Sequence, residues 1–344
     1  MYRLTANSQE ETALLFIDNK NITDPRINLA IEEYVLKHLK IDQESYLLFY
    51  INEPSIIIGK HQNTVEEIHV DYIRQHGIHV VRRLSGGGAV YHDLGNLNFS
   101  FLTKDDGKSF ANFRKFTEPV IAALHKLGVQ AELSGRNDIL VDGKKVSGNA
   151  QFSQLGRMFS HGTLMLDVDL DVVGKALHVK QEKIKSKGIK SVRSRVANIS
   201  EYLDHPITIT EFRSALLQYI FEGQNPIPEY VLTDEDWAKI YQISKDRYQN
   251  WDWNFGESPV FNVQHTKRFP VGSIDVRLDI GEMGIIKNCK IYGDFFGVGD
   301  VQDIEQRLEG NRYDRDQLED ALKDIDVKHY FGNISKEEFL DLIY

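Results

Sequence analysis

The chain has 344 residues, with 41 Lys and Arg against 51 Asp and Glu, so its formal charge is -10. That balance argues against a nucleic-acid binder, and no apolar run approaches the ~18 residues of a membrane span. A single cysteine, Cys289, excludes an internal disulfide framework and any zinc site of several thiolates, and it suits a reducing cytosol.

At about 150 residues per domain the length predicts two domains. Met1 to Glu10 lacks the basic start and apolar run of a secretory signal. Thr23-Asp24-Pro25 reads as a helix entry, followed by apolar residues at helical spacing from Ile27 to Leu39. Tyr46 to Ile51 and Ser55 to Gly59 read as a strand pair turned by Asn52-Glu53-Pro54, and Ile78 to Val81 as another strand. From Asn96 to Thr103, Leu97, Phe99 and Phe101 alternate with Asn98 and Ser100, which predicts a half-buried antiparallel strand. Phe110 to Leu127 reads as a helix with a break or kink at Pro119. Asp142-Gly143 between Ile139–Val141 and Lys144–Ala150 is a tight hairpin signal. A strand over 157–166 and helices over 209–222 and 233–248 complete a first domain of 1–250. Beyond an aromatic, aperiodic stretch, strands at 273–280 and 283–291 and helices near 301–308, 315–323 and 335–343 predict a small α+β domain over 258–344.

Three segments are candidates for chemistry. Arg82-Arg83-Leu84-Ser85-Gly86-Gly87-Gly88 lets backbone N–H groups approach an anion, and the adjacent Arg adds a planar cation. It is neither a Walker loop nor a Rossmann fingerprint. Lys145, on a strand among small residues, offers a fixed positive charge to a phosphate; Asn137 and Asp138 suit either a nucleobase or a magnesium ion. The run from Lys180 to Arg195 holds five Lys and two Arg against one Glu, a local charge of +6 that points to an anion. His161-Gly162 opens a strand more weakly, with Gly162 permitting close approach of an apolar ligand.

The ordered set Arg82 to Asn98, Gly135 to Asp138 with Lys145 to Ala150, His161 to Leu166 and Ser191 to Ile199 resembles the lipoate–protein ligase A family. The resemblance covers nearly the whole chain. It implies an α/β (α+β) fold, a mixed β-sheet flanked by helices of the biotin/lipoyl ligase type, related to class II synthetase cores, with a small α+β C-terminal domain. It implies an ATP-dependent reaction through lipoyl-adenylate. Arg83, Gly88, Ala89, Val90, Tyr91, Asn137, Asp138 and Lys145 would then hold ATP, with Mg2+ ligands unassigned. Ser85, Gly87, His92, Lys145, His161 and Gly162 would hold lipoate, and Lys145 would be catalytic. The Lys180–Arg195 run would close over the adenylate.

The expected partners are lipoate or octanoate and the apo lipoyl domains of 2-oxoacid dehydrogenases or the glycine-cleavage H protein. No nucleic acid, no membrane and a monomeric, cytoplasmic state are expected. Leu84, Tyr91 and Phe99 are candidates for shaping the acyl pocket. One rival is an acyltransferase on the same fold, which needs a pocket thiol; Cys289 lies away from every motif. A second rival is a non-catalytic nucleotide or lipoate sensor.

Overall fold

Asp24 caps the helix Pro25–His38 by accepting from the Arg26 N–H, and Pro25 fills the first turn, where its missing N–H costs nothing. The computed structural model describes residues 13–177, 195–255, 262–281 and 284–344. Of the expected basic run only Arg195 is among the described residues. They fall into two compact units. The first runs to Ile57 and takes in Val65–Val81 and Val90–Asn254; the second gathers Ile58–Thr64, Arg82–Ala89 and Phe255–Tyr344.

The chain up to Met165 contributes strands β1 (Ala13–Asp18), β2 (Glu44–Ile51), β3 (Ser55–Ile58), β4 (His79–Arg82), β5 (Val90–His92), β6 (Asn96–Lys104), β7 (Ala131–Ser134), β8 (Asp138–Val141), β9 (Lys144–Gln154) and β10 (Arg157–Met165). Seven form a mixed sheet in the order β1-β2-β6-β10-β9-β8-β7, in which β1 and β2 are parallel and the other pairs antiparallel. β4, β3 and β5 make a separate sheet. The expected pairing of β2 with β3 does not form. β1 and β6 occupy both edges of β2, so β3 has no edge to join.

The Asp142-Gly143 turn has φ of 49° and 75°, the left-handed pair that a two-residue hairpin needs. β6 alternates as expected but is buried on both faces from Asn96 to Thr103 rather than half-buried. Helices Phe113–Lys126 and Ile209–Ile220 cover the face carrying Phe99 and Phe101. Helix Pro25–His38, with Asp234–Ile243 packed on it, covers the other. Helix Phe113–Lys126 starts three residues later than expected and runs through Pro119 unbroken. Its buried face, including Phe116, Val120 and Leu124, offsets the roughly 3 kcal/mol that an interior proline costs.

In the second unit β11 (Val263–Phe269), β12 (Gly272–Ile280) and β13 (Ile286–Gly293) form an antiparallel meander. Helices Gln302–Leu308, Arg315–Ala321, Val327–Phe331 and Lys336–Ile343 complete a core around Ile274, Leu278, Phe295 and Phe331. β11 escapes sequence reading because it is a polar edge strand (VQHTKRF) with four exposed positions. Among the described residues no helix is long and apolar enough to cross a membrane.

Candidate active site

Lys145 stands near the start of β9, where the β8–β9 register shifts between Ile139 and Leu140. Its backbone is anchored on the far side: its N–H donates to the Arg195 carbonyl at 2.8 Å, and its own carbonyl accepts from the Ala197 N–H at 3.0 Å. The side chain runs along the sheet, and Nζ reaches Asp138 Oδ1 at 2.7 Å. A Cβ at Gly148 would lie 2.7 Å from that Nζ, so the ammonium occupies space that only glycine leaves open. The pair is about a third exposed, and such pairs contribute under about 1 kcal/mol. An incoming anion can therefore exchange for Asp138 at little cost to the fold.

Strand register extends this point into a lane. Gly148 and Ala150 share a face of β9; Ala150 pairs with His161 of β10, and His161 with Ser100 of β6. The Gly148 N–H donates to Thr163 Oγ1 at 3.1 Å. On this face Gly148, Ala150 and Thr163 place small side chains between the Lys145 ammonium and the His161 imidazole. His161 Nδ1 lies 3.0 and 3.1 Å from the two carboxylate oxygens of Glu32, on the helix covering this face. Both residues are buried.

Other expected residues lie elsewhere. Gly162 points to the opposite face from His161, and the space above it is filled by the Asn149 amide and the Phe99 ring, which lie 2.1 and 2.6 Å from where a Cβ would sit. The close approach that Gly162 permits is thus taken up by the chain's own side chains. Phe99 shares that opposite face and belongs to the hydrophobic core, so it does not line the Lys145 lane. Asn137 and Asn149 exchange side-chain-to-backbone hydrogen bonds, which staple β8 to β9. His92, on β5 with Val90 and Tyr91, ends a buried relay. Asn19 donates to Asn28, Asn28 to Asn52 Oδ1, and Asn52 Nδ2 to His92 Nδ1 at 3.0 Å. Because the Asn52 oxygen is already used, its amide must be the donor, which makes Nδ1 of His92 the acceptor. Burial pushes the Tyr91 phenol up to about 12.

The glycine-rich loop is part of the second unit. Arg83 is turned inward: Nε donates to Ser85 Oγ at 2.9 Å, and Nη2 to the carbonyls of Gly86 and Gly88 at 2.7 and 2.9 Å. Its guanidinium shapes the loop that precedes Ala89. Arg82 likewise donates to the carbonyls of Gly59, Lys60 and Gln62 and to Thr64 Oγ1. Burial pushes the Arg82 pKa down to about 10, so it remains charged at neutral pH. Gly87 has φ of 94° and faces the Phe296 ring at 2.8 Å from a Cβ position, a conformation and a space closed to other residues.

Glu32, Asn28 and Asn52 were missed in the sequence because each sits on an apolar helix face or in a turn, where a polar residue reads as solvent-exposed. Cys289 is enclosed in the core of the second unit, and burial pushes its thiol well up. Among the described residues no group of three His, Cys, Asp or Glu side chains is arranged to hold a metal ion.

The fold is thus a mixed sheet flanked by helices, carrying one lysine whose ammonium lies over a glycine. Residues 24–221 match the lipoyl protein ligase A/B catalytic domain family, and residues 258–343 match the bacterial lipoate protein ligase C-terminus family. The chain is 67% identical over 333 residues to lipoate-protein ligase LplJ of Bacillus subtilis, covering 96% of this chain and 100% of that one. A structure of a bipartite lipoate protein ligase and its E2 lipoyl domain from Thermoplasma acidophilum is 32% identical, with a TM-score of 0.62, over 74% of this chain and 100% of that one. A lipoate-protein ligase A bound with ATP is 30% identical, with a TM-score of 0.60, over 72% of this chain and 99% of that one. This chain belongs to the lipoate–protein ligase family.

Proposed function

We propose that this protein joins lipoate to a lysine of an acceptor protein in two steps, with Lys145 as the residue on which the first step depends. A lipoate carboxylate oxygen attacks the α-phosphorus of ATP, pyrophosphate leaves, and lipoyl-adenylate forms. The acceptor amine then attacks the carbonyl of that mixed anhydride, and AMP leaves.

The observation that carries this reading is the Lys145 ammonium held over Gly148 at the head of the lane to His161. Carboxylate and phosphate repel each other, so the first step needs a positioned cation between them, and Lys145 supplies it as it leaves Asp138. In this reading the acyl arm of lipoate runs from Gly148 toward Ala150, one strand repeat of about 6.8 Å. A solvated acceptor lysine has a pKa near 10.4, so only about one amine in 2,500 is neutral at pH 7. A neighbouring Lys145 charge lowers that pKa and favours the attacking form.

Arg83 and the Gly88–Tyr91 backbone belong to the ATP site in this reading, and Arg83 serves it by holding the loop's shape. Mg2+, when bound, would be held mainly by the phosphates, and Asp138 would be the nearby carboxylate to ligate it once Lys145 has turned to substrate. We assign catalysis to residues 1–250 and an accessory role to 258–344. The acceptors are apo lipoyl domains of 2-oxoacid dehydrogenases or the glycine-cleavage H protein, and the setting is cytoplasmic.

A thioester route is disfavoured because Cys289 is buried with its thiol pushed up, away from the thiolate form that a nucleophile needs. The test is mass spectrometry of apo acceptor domains incubated with the protein, ATP, Mg2+ and lipoate. A lipoyl mass increment that requires ATP and is lost in Lys145→Met is expected. An increment that persists without ATP overturns the reading.

A further inference from the structure

We infer that the cleft between the turn after β1 and the helix Asp234–Ile243 is a docking site for an extended, proline-rich peptide segment flanked by an acidic and a basic residue. The cleft measures about 400 Å³ and is lined by Lys20, Ile22, Asp234, Trp237, Ala238 and Tyr241. Its volume lies within the roughly 300–1,000 Å³ that ligand clefts span. None of the six residues belongs to the proposed catalytic or ATP-binding set.

Both walls are fixed by the fold itself. Buried Asp236 accepts hydrogen bonds from the Tyr34 and Tyr230 hydroxyls, which pins the helix Asp234–Ile243 to the helix Pro25–His38. On the other wall Lys20 and Asn21 both take left-handed backbone, with φ of 55° and 56°. Lysine avoids that region, so the turn keeps its shape because other groups impose it. Asp18 Oδ1 accepts from the Lys20 N–H at 3.0 Å, and Asn19 Nδ2 donates to the Ile22 carbonyl at 2.9 Å. Arg213 donates to Asp18 and to Asn21, each at 3.0 Å. The result is a lysine ammonium held 5.1 Å from the centre of the Trp237 ring. Backbone strain of this kind collects at ligand clamps.

The chemistry of the lining selects the occupant. Asp234, Trp237, Ala238 and Tyr241 recur at helical spacing and form one stripe. The Trp237 and Tyr241 rings lie 5.9 Å apart at 33°, exposed Ala238 leaves a low floor, and Tyr241 is half exposed. Flat, rigid proline rings stack on such aromatic faces at little cost in conformational entropy. The Trp237 indole N–H has no acceptor among the described residues. A polyproline chain, whose carbonyls are not used internally, supplies one. Lys20 offers a cation to an acidic side chain and Asp234 a carboxylate to a basic one, so the two ends of the segment are told apart. An added β-strand does not fit, because the edge of β1 is already taken: the Phe16 N–H donates to the Pro228 carbonyl at 2.8 Å, and the Tyr230 N–H to the Phe16 carbonyl at 2.9 Å.

The experiment titrates the full chain with the peptide Glu-Pro-Pro-Ala-Pro-Pro-Arg and follows the indole N–H resonances of its three tryptophans, with Trp237→Phe assigning the Trp237 signal. A shift of that signal is expected, and a peptide with Ala in place of every Pro should leave it unmoved. Tyr241→Ala should weaken binding about tenfold, the loss of one aromatic anchor. Lys20→Asn keeps a residue that accepts the left-handed backbone and should weaken binding about threefold. Replacing the peptide's Glu by Gln should remove that threefold difference. Tm and ligation should be unchanged in Tyr241→Ala and Lys20→Asn, since both positions are exposed.

A Trp237 signal unmoved at peptide concentrations on the order of 1 mM overturns the inference. So does equal binding of the Ala-substituted peptide, or undiminished affinity in folded Tyr241→Ala. A wild-type dimer in sedimentation that Tyr241→Ala dissociates gives the cleft to a second copy of the chain, and overturns it as well.

Discussion

Two glycines on adjacent strands, Gly148 and Gly162, should respond oppositely to the same methyl group. In Gly148→Ala the new carbon would sit 2.7 Å from Lys145 Nζ and 3.0 Å from its Cε. Non-bonded atoms require roughly 3.5 Å, so the ammonium must retreat by about 0.8 Å. The displaced atoms are the flexible end of a part-exposed side chain, and the Asp138 pair they leave contributes little, so stability should change by less than about 1 kcal/mol. If Lys145 acts as proposed, activity should not be spared, because misplacing a catalytic group by about 1 Å costs on the order of 100-fold. In Gly162→Ala the methyl would sit 2.1 Å from Asn149 Oδ1 and 2.6 Å from the Phe99 ring, both buried, with no open direction of retreat. Overpacking of that kind costs about 1–3 kcal/mol. Urea unfolding paired with lipoate-dependent ATP–pyrophosphate exchange reads both quantities. Full exchange activity in Gly148→Ala, or a stability loss there equal to that of Gly162→Ala, would refute the claim that the open space above Gly148 serves to place Lys145.

Replacing Lys145 by Ala should lower exchange by about 100- to 1,000-fold with an unchanged urea midpoint, since one transition-state donor is lost from a part-exposed position. His61 stacks on Phe295 with centroids 4.7 Å apart, and burial pushes its pKa from 6.5 down to about 3. The unfolded chain therefore takes up a proton below pH 6.5 that the folded chain refuses until about pH 3, so stability is full above pH 6.5 and falls as the pH drops through that window. At pH 5 this amounts to about 2 kcal/mol, and His61→Phe should reduce the pH 7 to pH 5 difference in unfolding free energy by that amount. An unchanged difference would show that His61 is not the group responsible. Cys289→Ser should retain ligation, and thiol reagents should modify Cys289 only in denaturant, because the thiol is enclosed and its ionisation suppressed. Abolished ligation in a folded Cys289→Ser protein would restore the thioester route.

Sequence by itself determined the features whose causes are local. Asp142-Gly143 dictates its hairpin through backbone dihedrals, Asp24-Pro25 starts its helix through a cap and a preset φ, and the alternation of Leu97, Phe99 and Phe101 follows from the two-residue repeat of a strand. The ordered motifs also pointed to the ligase family. Only tertiary structure decided what depends on partners remote in the chain. The turn after β2 reads as a hairpin, yet β3 leaves for another sheet because distant strands already occupy both edges of β2. Gly162 and His161 are neighbours in sequence, but the strand repeat sends them to opposite faces, one into the core and the other toward Lys145's lane. Glu32, which no sequence motif singles out, is buried against His161, 129 residues away. A buried charge is tolerated only where a partner meets it, and meeting that partner is a property of how the sheet and helix pack, which no local window of sequence contains.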